Sequence, residues 1–377
     1  MGVAGEAEPY PNAEEQVVGG QADRRTILVV SLLVLAGLIA LYSASAPFSL
    51  RHFGSDTSML FRQAIAALIG VIVLGGLAVS DYHRLGAIND LLLLGSFLLT
   101  VMTILPLGIG DGRWLSLGPA SFQPTELLKL SLIVYLATSL SKKGERVKAF
   151  GDGVLPYIIV LGVLAAVVVA QPDLGMVLVL GAVTLGMLFF AGARMLHLAG
   201  IVAGCAPFVF LAIRFAPYRM ARLLSFLNPF AHSTTSGYQT IQSLIAVGSG
   251  GLFGRGLGAS HAKLFHLPQS HNDFIASVIA EELGFVGMCV VIGLLGFLVW
   301  RAFVIAEHAP DQLGRLLAVG IGFTLGFQSL VNLGVVVGLL PVTGLTLPFL
   351  SNGGSSLIVT LAMVGVLLSV SRQDVRR

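Results

Sequence analysis

Acidic and basic side chains recur beside the ends of long apolar runs, where an ionisable group is costly unless it faces a cavity or a partner. The acids at these positions are Asp111, Glu126, Asp173, Asp273, Glu281 and Glu282, and the bases are Arg113, Lys129, Arg214, Arg219, Arg222, Arg255 and Lys263. A mixture of charges of this kind suits an anionic polar ligand. These residues are therefore the first candidates for a functional site.

Asp273 is the candidate for proton transfer. It stands in the run Leu267-Pro-Gln-Ser-His-Asn-Asp-Phe274, where a long loop returns to an apolar segment. A partly desolvated carboxylate has a raised pKa and can accept a proton from a hydroxyl group, whereas a nearby Arg or Lys would keep it ionised. The alternative is that Asp273 only stabilises the start of a helix. His271 either tunes this carboxylate or is simply solvated.

Two segments place a proline and then an acid at the start of an apolar run, Phe122-Gln-Pro-Thr-Glu126 and Ala170-Gln-Pro-Asp173. Helix capping alone would explain both acids. Glu126 and Lys129 are three residues apart on one helical face, which predicts an ion pair. Such a pair is either structural or able to hold a pyrophosphate while staying neutral.

Arg113 and Trp114 lie just before the first of these segments. An arginine offers a bidentate phosphate donor, and a tryptophan ring either stacks on a sugar or anchors at the membrane interface. A glycine-rich run, Gly248-Ser-Gly-Gly-Leu-Phe-Gly-Arg-Gly-Leu-Gly258, follows no strand of a βαβ unit, which argues against a nucleotide loop. We expect its glycines to permit close backbone approach, or to form a flexible turn.

The elements that must position these residues are membrane helices. The 377 residues are 55% hydrophobic and only 11% charged, whereas a soluble domain carries about a quarter charged residues. Apolar runs long enough to cross a hydrocarbon core of about 30 Å fall at 26–46, 62–80, 90–107, 124–141, 153–170, 173–191, 195–214, 274–303, 315–341 and 355–371. They predict an all-α, polytopic integral membrane protein with about ten transmembrane helices.

Basic residues indicate the orientation of these helices. Lys and Arg fall on one side if the N-terminus is inside, which predicts that both termini are cytoplasmic. Residues 1–23 are then a disordered cytoplasmic tail, and 24–377 are the membrane domain. A long segment between helices 7 and 8, about 215–273, is predicted to be a structured extracytoplasmic loop.

Charge and cysteine content exclude other classes. The net charge of +3 comes with no RNA- or DNA-binding motif, so we expect no nucleic-acid partner. Only two cysteines are present, Cys205 and Cys289, and both lie inside apolar runs. A disulfide framework and a zinc site are therefore not expected.

A series of motifs in a fixed order resembles the SEDS family (shape, elongation, division and sporulation). They are Leu41-Tyr-Ser-Ala-Ser45, Arg113-Trp114, Phe122-Gln-Pro-Thr-Glu-Leu-Leu-Lys129, Gln171-Pro-Asp-Leu-Gly175, Ser225-Phe-Leu-Asn-Pro229, Gly237-Tyr-Gln239, Gln242-Ser243, Glu281-Glu-Leu-Gly284, Gly338-Leu-Leu-Pro-Val-Thr-Gly344 and Leu347-Pro-Phe-Leu-Ser-Asn-Gly-Gly-Ser-Ser356. The resemblance implies a peptidoglycan glycosyltransferase of the bacterial cytoplasmic membrane, which polymerises lipid II and releases undecaprenyl pyrophosphate. It also implies a class B penicillin-binding protein as transpeptidase partner, together with other divisome membrane proteins and membrane lipids.

The same resemblance assigns residues. The family's essential acid falls on Asp273, and its cavity positions fall on Arg113, Trp114, Glu126 and Lys129. Further candidates for substrate binding are Gln123, Asp173, Arg219, Lys263 and His271. No metal ligands are assigned, although a divalent cation, Mg²⁺ or Mn²⁺, could assist the leaving pyrophosphate.

The segments Gly254–Ser260 and Lys263–Pro268 resemble the division and sporulation branches more than the elongation branch, which favours a role in cell division at the septum. Three positions depart from the family pattern: Gln269 replaces a glutamate, Asn272 a threonine and Asn352 a tyrosine. A lipid II flippase, an elongation polymerase and a scaffold of the division complex stay open as alternatives.

Overall fold

The computed structural model describes residues 20–106, 110–118, 120–235 and 237–373, and this part of the chain is helical apart from one small sheet. The helices are α1 (Arg24–Phe53), α2 (Ser58–Val79), α3 (His83–Ala87), α4 (Asn89–Met102), α5 (Pro124–Ser141), α6 (Leu155–Ala170), α7 (Leu174–Phe190), α8 (Met195–Arg214), α9 (Pro217–Leu227), α10 (Tyr238–Ser249), α11 (Ile275–Glu307), α12 (Gln312–Val336) and α13 (Gly354–Arg372). Short single-turn helices occupy 144–148, 150–154, 230–232 and 262–266. Ten of the longer helices coincide with the ten predicted apolar runs, so the all-α membrane fold is confirmed.

Six helical segments are long and apolar enough to cross a membrane, and they are α1, α2, α6 with the turn before it, α11, α12 and α13. The apolar helices α4, α7 and the first part of α8 are shorter. α5 is less apolar because it carries Glu126 and Lys129. The number of crossings therefore stays a prediction.

A buried centre is formed by α5, α12 and α13. In α5, 14 of 18 residues are buried, whereas only 5 of the 22 residues of α2 are buried. α13 packs on α2 through glycines: a Cβ on Gly365 would lie 2.7 Å from the Leu74 carbonyl oxygen, and one on Gly70 would lie 2.5 Å from a Leu361 methyl carbon. Small residues let membrane helices approach closely in this way.

A three-stranded antiparallel sheet lies between α4 and α5, in the order β1 (Gly110–Asp111), β2 (Trp114–Leu117) and β3 (Ala120–Phe122). Cα partners are Asp111 with Trp114 and Ser116 with Ser121. The helical predictions did not include this sheet. It positions Arg113 at the tight turn between its first two strands.

The end of the bundle opposite Asp273 is held by ion pairs. Asp23 is 2% exposed, and its carboxylate lies 3.0 Å from the Arg301 guanidinium and 2.7 Å from the Thr26 hydroxyl. Asp23, which the sequence assigned to the tail, is therefore packed against α1 and α11. The remainder of the predicted tail, 1–19, lies outside the described residues.

α11 is broken at Gly284, where φ is 67° and ψ is −166°. The apolar pattern predicted one uninterrupted run here. The first part of the helix, Ile275–Glu282, is wholly buried, while the part after the break carries the exposed residues Phe285 and Val286.

The glycine-rich run binds this break through its backbone. The N–H groups of Arg255 and Gly256 donate to the carbonyls of Glu281 and Glu282, both at 3.0 Å. A Cβ on Gly254, where φ is 78°, would lie 2.1 Å from the Glu282 carbonyl oxygen. These contacts confirm the expectation of close backbone approach. They also show that the segment predicted as a long loop is structured, with α9 and α10 within it.

Candidate functional site

Asp273 ends a turn immediately before α11. The backbone N–H groups of Asn272 and Phe274 both donate to the Gln269 carbonyl, at 3.0 and 3.4 Å. The buried Asn332 side chain of α12 donates to the Asp273 carbonyl at 2.9 Å and to the Leu345 carbonyl at 2.7 Å. This amide therefore fixes the backbone of the candidate base against the segment that follows α12.

The Asp273 carboxyl is partly buried beside Gly344, where a Cβ would lie 3.7 Å from Oδ2. Burial raises the pKa of Asp273 to about 6, while the guanidinium groups of Arg222 and Arg113 oppose this rise and the Asp173 carboxylate adds to it. Among the described residues, we find no hydrogen bond to this carboxyl. It is thus ionised in most molecules at neutral pH and has its lone pairs open to a proton donor.

Arg113 joins the small sheet to the start of α7. Its Nε donates to the Gln171 carbonyl at 3.1 Å, and its Nη1 lies 3.6 Å from Asp173 Oδ2. Gln123 Nε2 lies 3.5 Å from the same carboxylate oxygen. Burial raises the pKa of Asp173, and Arg113 opposes the rise. The sequence candidates Arg113, Gln123, Asp173 and Asp273 are therefore brought together.

Asp173 is also a helix cap, because its Oδ1 accepts from the Met176 backbone N–H at 3.1 Å. The capping interpretation is thus confirmed for Asp173. The carboxylate nevertheless faces Arg113 with its other oxygen, so capping and a place in the charged site are compatible.

Glu126 and Lys129 form the ion pair that their spacing predicts, at 2.6 Å. The Lys129 side chain is 1% exposed, and its ammonium group also donates to Gln328 Oε1 at 3.0 Å. Gln328 Nε2 in turn donates to the Thr346 carbonyl at 3.1 Å. The pair therefore connects α5 with α12 and the segment after it, which is the structural interpretation. A direct contact of Lys129 with substrate stays a prediction.

Lys263 belongs to a different cluster. It is 8% exposed, and its ammonium lies 2.9 Å from Glu282 Oε1 and 3.0 Å from the Ser43 hydroxyl of α1. Glu281 accepts from the Ser260 hydroxyl at 2.6 Å and pairs with Arg255 at 3.4 Å. These residues link the glycine-rich run to α1 and α11. Within the described chain, none of them is among the electrostatic neighbours of Asp273.

The sequence named Arg222 only as one of several basic candidates, whereas the structure brings its charge within electrostatic reach of Asp273. Its Nη1 donates to the Val342 carbonyl at 3.1 Å. Arg219 lies three residues earlier on the same amphipathic helix, α9, and therefore on the same face. The strong separation of charged and apolar faces in α9 is the sequence feature that could have identified Arg219 and Arg222 as a pair.

His271 and Trp114 have less direct positions. The His271 ring is 7% exposed and lies 4.8 Å from the Phe48 ring, between centroids. Burial lowers the pKa of His271 to about 4, so it is neutral and adds no charge beside Asp273. Trp114 is half-buried in β2. The side chain of Asp111 lies outside the part of the chain that the structure describes.

The three departures from the family pattern touch one another. The Asn352 side chain donates to Asn272 Oδ1 at 2.9 Å, and the Asn272 side chain donates to Gln269 Oε1.

The sequence prediction of the site did not include two polar residues of α12, Gln328 and Asn332. Their signal was available, because buried amides in a membrane helix need partners.

The fold and the site together define a class: a polytopic membrane enzyme whose charged site lies at one end of the helix bundle, around an open carboxyl. The chain matches the FtsW, RodA and SpoVE family, described as "Cell cycle protein", over residues 23–376. This chain belongs to that family.

Relatives and solved structures agree with this placement. The chain is 42% identical over 354 residues to the "Probable peptidoglycan glycosyltransferase FtsW" of Geobacter sp. (strain M18), covering 93% of this chain and 96% of the relative. It is also 42% identical over 356 residues to "Stage V sporulation protein E" of Bacillus subtilis (strain 168), covering 93% of this chain and 97% of the relative.

Two solved structures share the fold. One is described as "Structural coordination of polymerization and crosslinking by a peptidoglycan synthase complex", with a TM-score of 0.78, 32% identity and coverage of 94% of this chain and 99% of that one. The other is the rod shape determining protein RodA of Thermus thermophilus, with a TM-score of 0.69, 32% identity and coverage of 94% and 98%.

Proposed function

We propose that this family member is a peptidoglycan glycosyltransferase which polymerises lipid II into glycan strands during cell division, with Asp273 as its catalytic base. The observation that carries the proposal is the partly buried Asp273 carboxyl, which has no hydrogen bond among the described residues and lies within electrostatic reach of Arg113 and Arg222. The relatives that are named as probable peptidoglycan glycosyltransferases support the class of reaction.

In the proposed reaction, the Asp273 carboxylate takes the proton from a sugar hydroxyl of an incoming lipid II. The resulting oxygen attacks the anomeric carbon of the growing chain, with inversion. The bond from that carbon to the pyrophosphate breaks, and undecaprenyl pyrophosphate leaves. General-base catalysis of this kind contributes about 10²- to 10⁴-fold to the rate.

Charge that develops on the leaving pyrophosphate needs cations nearby. Arg113 and Arg222 supply two guanidinium groups, and the Arg113 side chain is 38% exposed and therefore accessible to a ligand. In the described residues, no group of three or more acids, histidines or cysteines could hold a metal ion. A Mg²⁺ or Mn²⁺ ion carried by the pyrophosphate stays a separate prediction.

We further propose that the Asp273 end of the bundle faces the outside of the cytoplasmic membrane and that both termini are cytoplasmic. Lipid II, a class B penicillin-binding protein, other divisome proteins and membrane lipids are the proposed partners. The similar solved structure is described as a peptidoglycan synthase complex, which supports a partner that cross-links the strands.

The test uses purified full-length protein with its transpeptidase partner and labelled lipid II. Asp273→Asn keeps the size of the side chain and removes the base, so we expect glycan ladders on a gel to decrease by at least about 100-fold. Asp90→Asn is the control, because Asp90 is exposed at the other end of the bundle. Near wild-type polymer from a folded Asp273→Asn protein would contradict the assignment.

Proteoliposomes distinguish the other functions. Lipid II label that becomes accessible on the far leaflet without any polymer would indicate a flippase. A scaffold would retain division activity in cells that carry Asp273→Asn and lose it only when partner binding is lost.

A further inference from the structure

The side chains of Gln269, Asn272 and Asn352, here called the amide chain, connect two segments that are far apart in sequence. Asn352 Nδ2 donates to Asn272 Oδ1 at 2.9 Å, and Asn272 Nδ2 donates to Gln269 Oε1. Asn272 directly precedes Asp273. The amide chain therefore ends at the residue that determines where the candidate base lies.

Asn352 is itself held by a rigid element. The residues on either side of it bind Gln63 of α2, since Gln63 Nε2 donates to the Ser351 carbonyl at 3.3 Å and Gln63 Oε1 accepts from the Gly353 N–H at 3.2 Å. Gln63 is only 3% exposed. The backbone on both sides of Asn352 is thus fixed to a membrane helix, and the Asn352 side chain extends from there to the Asp273 turn.

Backbone contacts reinforce the same connection. The Asn352 N–H donates to the His271 carbonyl at 2.9 Å. The Ser351 hydroxyl donates to the Asn272 carbonyl at 2.7 Å and accepts from the Leu347 N–H at 2.8 Å. These bonds hold the turn to the segment after α12, but they restrain its backbone and not the orientation of the Asn272 side chain.

We propose that Asn352 is a positioning residue for Asp273, acting through the amide chain, and this proposal rests on the function proposed above. The amide chain holds the Asp273 turn against α2, so the carboxylate stays where a sugar hydroxyl can reach it. Positions of reacting groups matter strongly, because a displacement of about 1 Å can cost 100-fold in rate.

Amides suit this task because they add no charge. The charged groups that act on Asp273 come from three other elements: Arg222 on α9, Arg113 in the turn of the small sheet and Asp173 at the start of α7. The neutral amide chain restrains the turn without altering this balance. Removing it should therefore change kcat and leave the pH dependence unchanged.

The experiment compares Asn352→Ala, Asn272→Ala and the double variant in the full-length protein with its partner. Polymerisation rates over a range of lipid II concentrations give kcat and KM. We expect Asn352→Ala to lower kcat about five-fold, as for the loss of one neutral hydrogen bond, with KM within about two-fold. Asn272→Ala removes both bonds of the amide chain, so its kcat should fall at least as far. The double variant should lose no more than Asn272→Ala alone, because Asn272→Ala already removes the bond to Asn352.

Two further readouts separate positioning from stability. Hydrogen exchange of backbone amides 269–274 should become faster in both single variants, while the midpoint of the pH–rate profile stays at the wild-type value. Asn89→Ala is the matched control, since Asn89 is a half-buried amide that donates to the Gly86 carbonyl at 2.7 Å at the other end of the bundle.

Unchanged kcat and unchanged exchange at 269–274 would overturn the proposal, and so would losses that multiply in the double variant. If Asn352→Ala unfolds, Asn272→Ala decides alone, because Asn272 lies outside the segment 351–353 that binds Gln63. Asp273 is not altered in any of these proteins. A failure here is therefore distinct from a failure of the proposed function, which Asp273→Asn tests.

Discussion

Replacing Asp273 by asparagine should stabilise the protein while it lowers polymerisation by at least about 100-fold. Burial raises the pKa of this carboxyl to about 6, against an ordinary value of 3.8. The folded state therefore binds the proton more tightly than the unfolded chain does. Stability is greatest below pH 3.8 and decreases as the pH rises to about 6, because folding must then bury an ionised group.

The magnitude follows from the two pKa values. Above both of them, the difference corresponds to about 3 kcal/mol of lost stability. At pH 5 the cost is about half of that, since only part of the folded population is ionised. Asp273→Asn carries no charge at any pH, so its gain over the wild-type protein should be up to about 3 kcal/mol at pH 7.5 and about half as large at pH 5.

Equilibrium unfolding in mixed micelles, followed by intrinsic fluorescence at pH 7.5 and pH 5, measures both values. Asp90→Asn is again the control, because that carboxyl is exposed. A variant that is no more stable than the wild-type protein at pH 7.5 would refute the reasoning. An equal gain at both pH values would also refute it, because the gain would then not come from ionisation.

Three further predictions concern the base, the ion pair and the glycine-rich run. The polymerisation rate should fall to about half of its maximum at pH 6 and to about a tenth at pH 5, since only ionised Asp273 acts as base. A pH–rate profile measures this decrease. A rate that does not change between pH 7 and pH 5 would contradict the prediction. Lys129→Met should lower the free energy of unfolding by about 3–5 kcal/mol, measured by denaturant unfolding, because it leaves the buried Glu126 unpaired. The double variant Lys129→Met with Glu126→Gln should lose less stability. Equal losses would argue against a buried pair. Gly254→Ala should lower the free energy of unfolding by more than about 1 kcal/mol, because φ is positive at Gly254 and a Cβ there would meet the Glu282 carbonyl. Gly248→Ala is the control, because a Cβ at Gly248 would meet open space. Equal unfolding midpoints for the two variants would contradict the argument.

The helices could be predicted because their signal is local. The length and hydropathy of each run define a membrane helix, and ten helices lie at the ten predicted runs. The Glu126–Lys129 pair was predictable for the same reason, since three residues place two side chains on one helical face. The proline and acid at the start of α7 likewise predicted the cap that Asp173 makes.

The rest depends on contacts between distant segments. Nothing in the apolar run of α11 marks a break at Gly284, because glycine is common in membrane helices and the partners of the break lie in another segment, 251–256. The place of Arg222 beside Asp273 depends on how α9 packs. Gln328 and Asn332 were visible as polar residues in an apolar run, but their partners, Lys129 and the carbonyls around Leu345, were not.

The broken α11 also imposes an order on the biogenesis of the protein. Four backbone hydrogen bonds join the break to residues 251–256, and without them those groups would lie unpaired beside an apolar helix. The newly inserted helix is therefore complete only after the preceding segment has folded back onto it. A chain in which this docking fails would leave polar backbone groups at residues 281–286 without their partners.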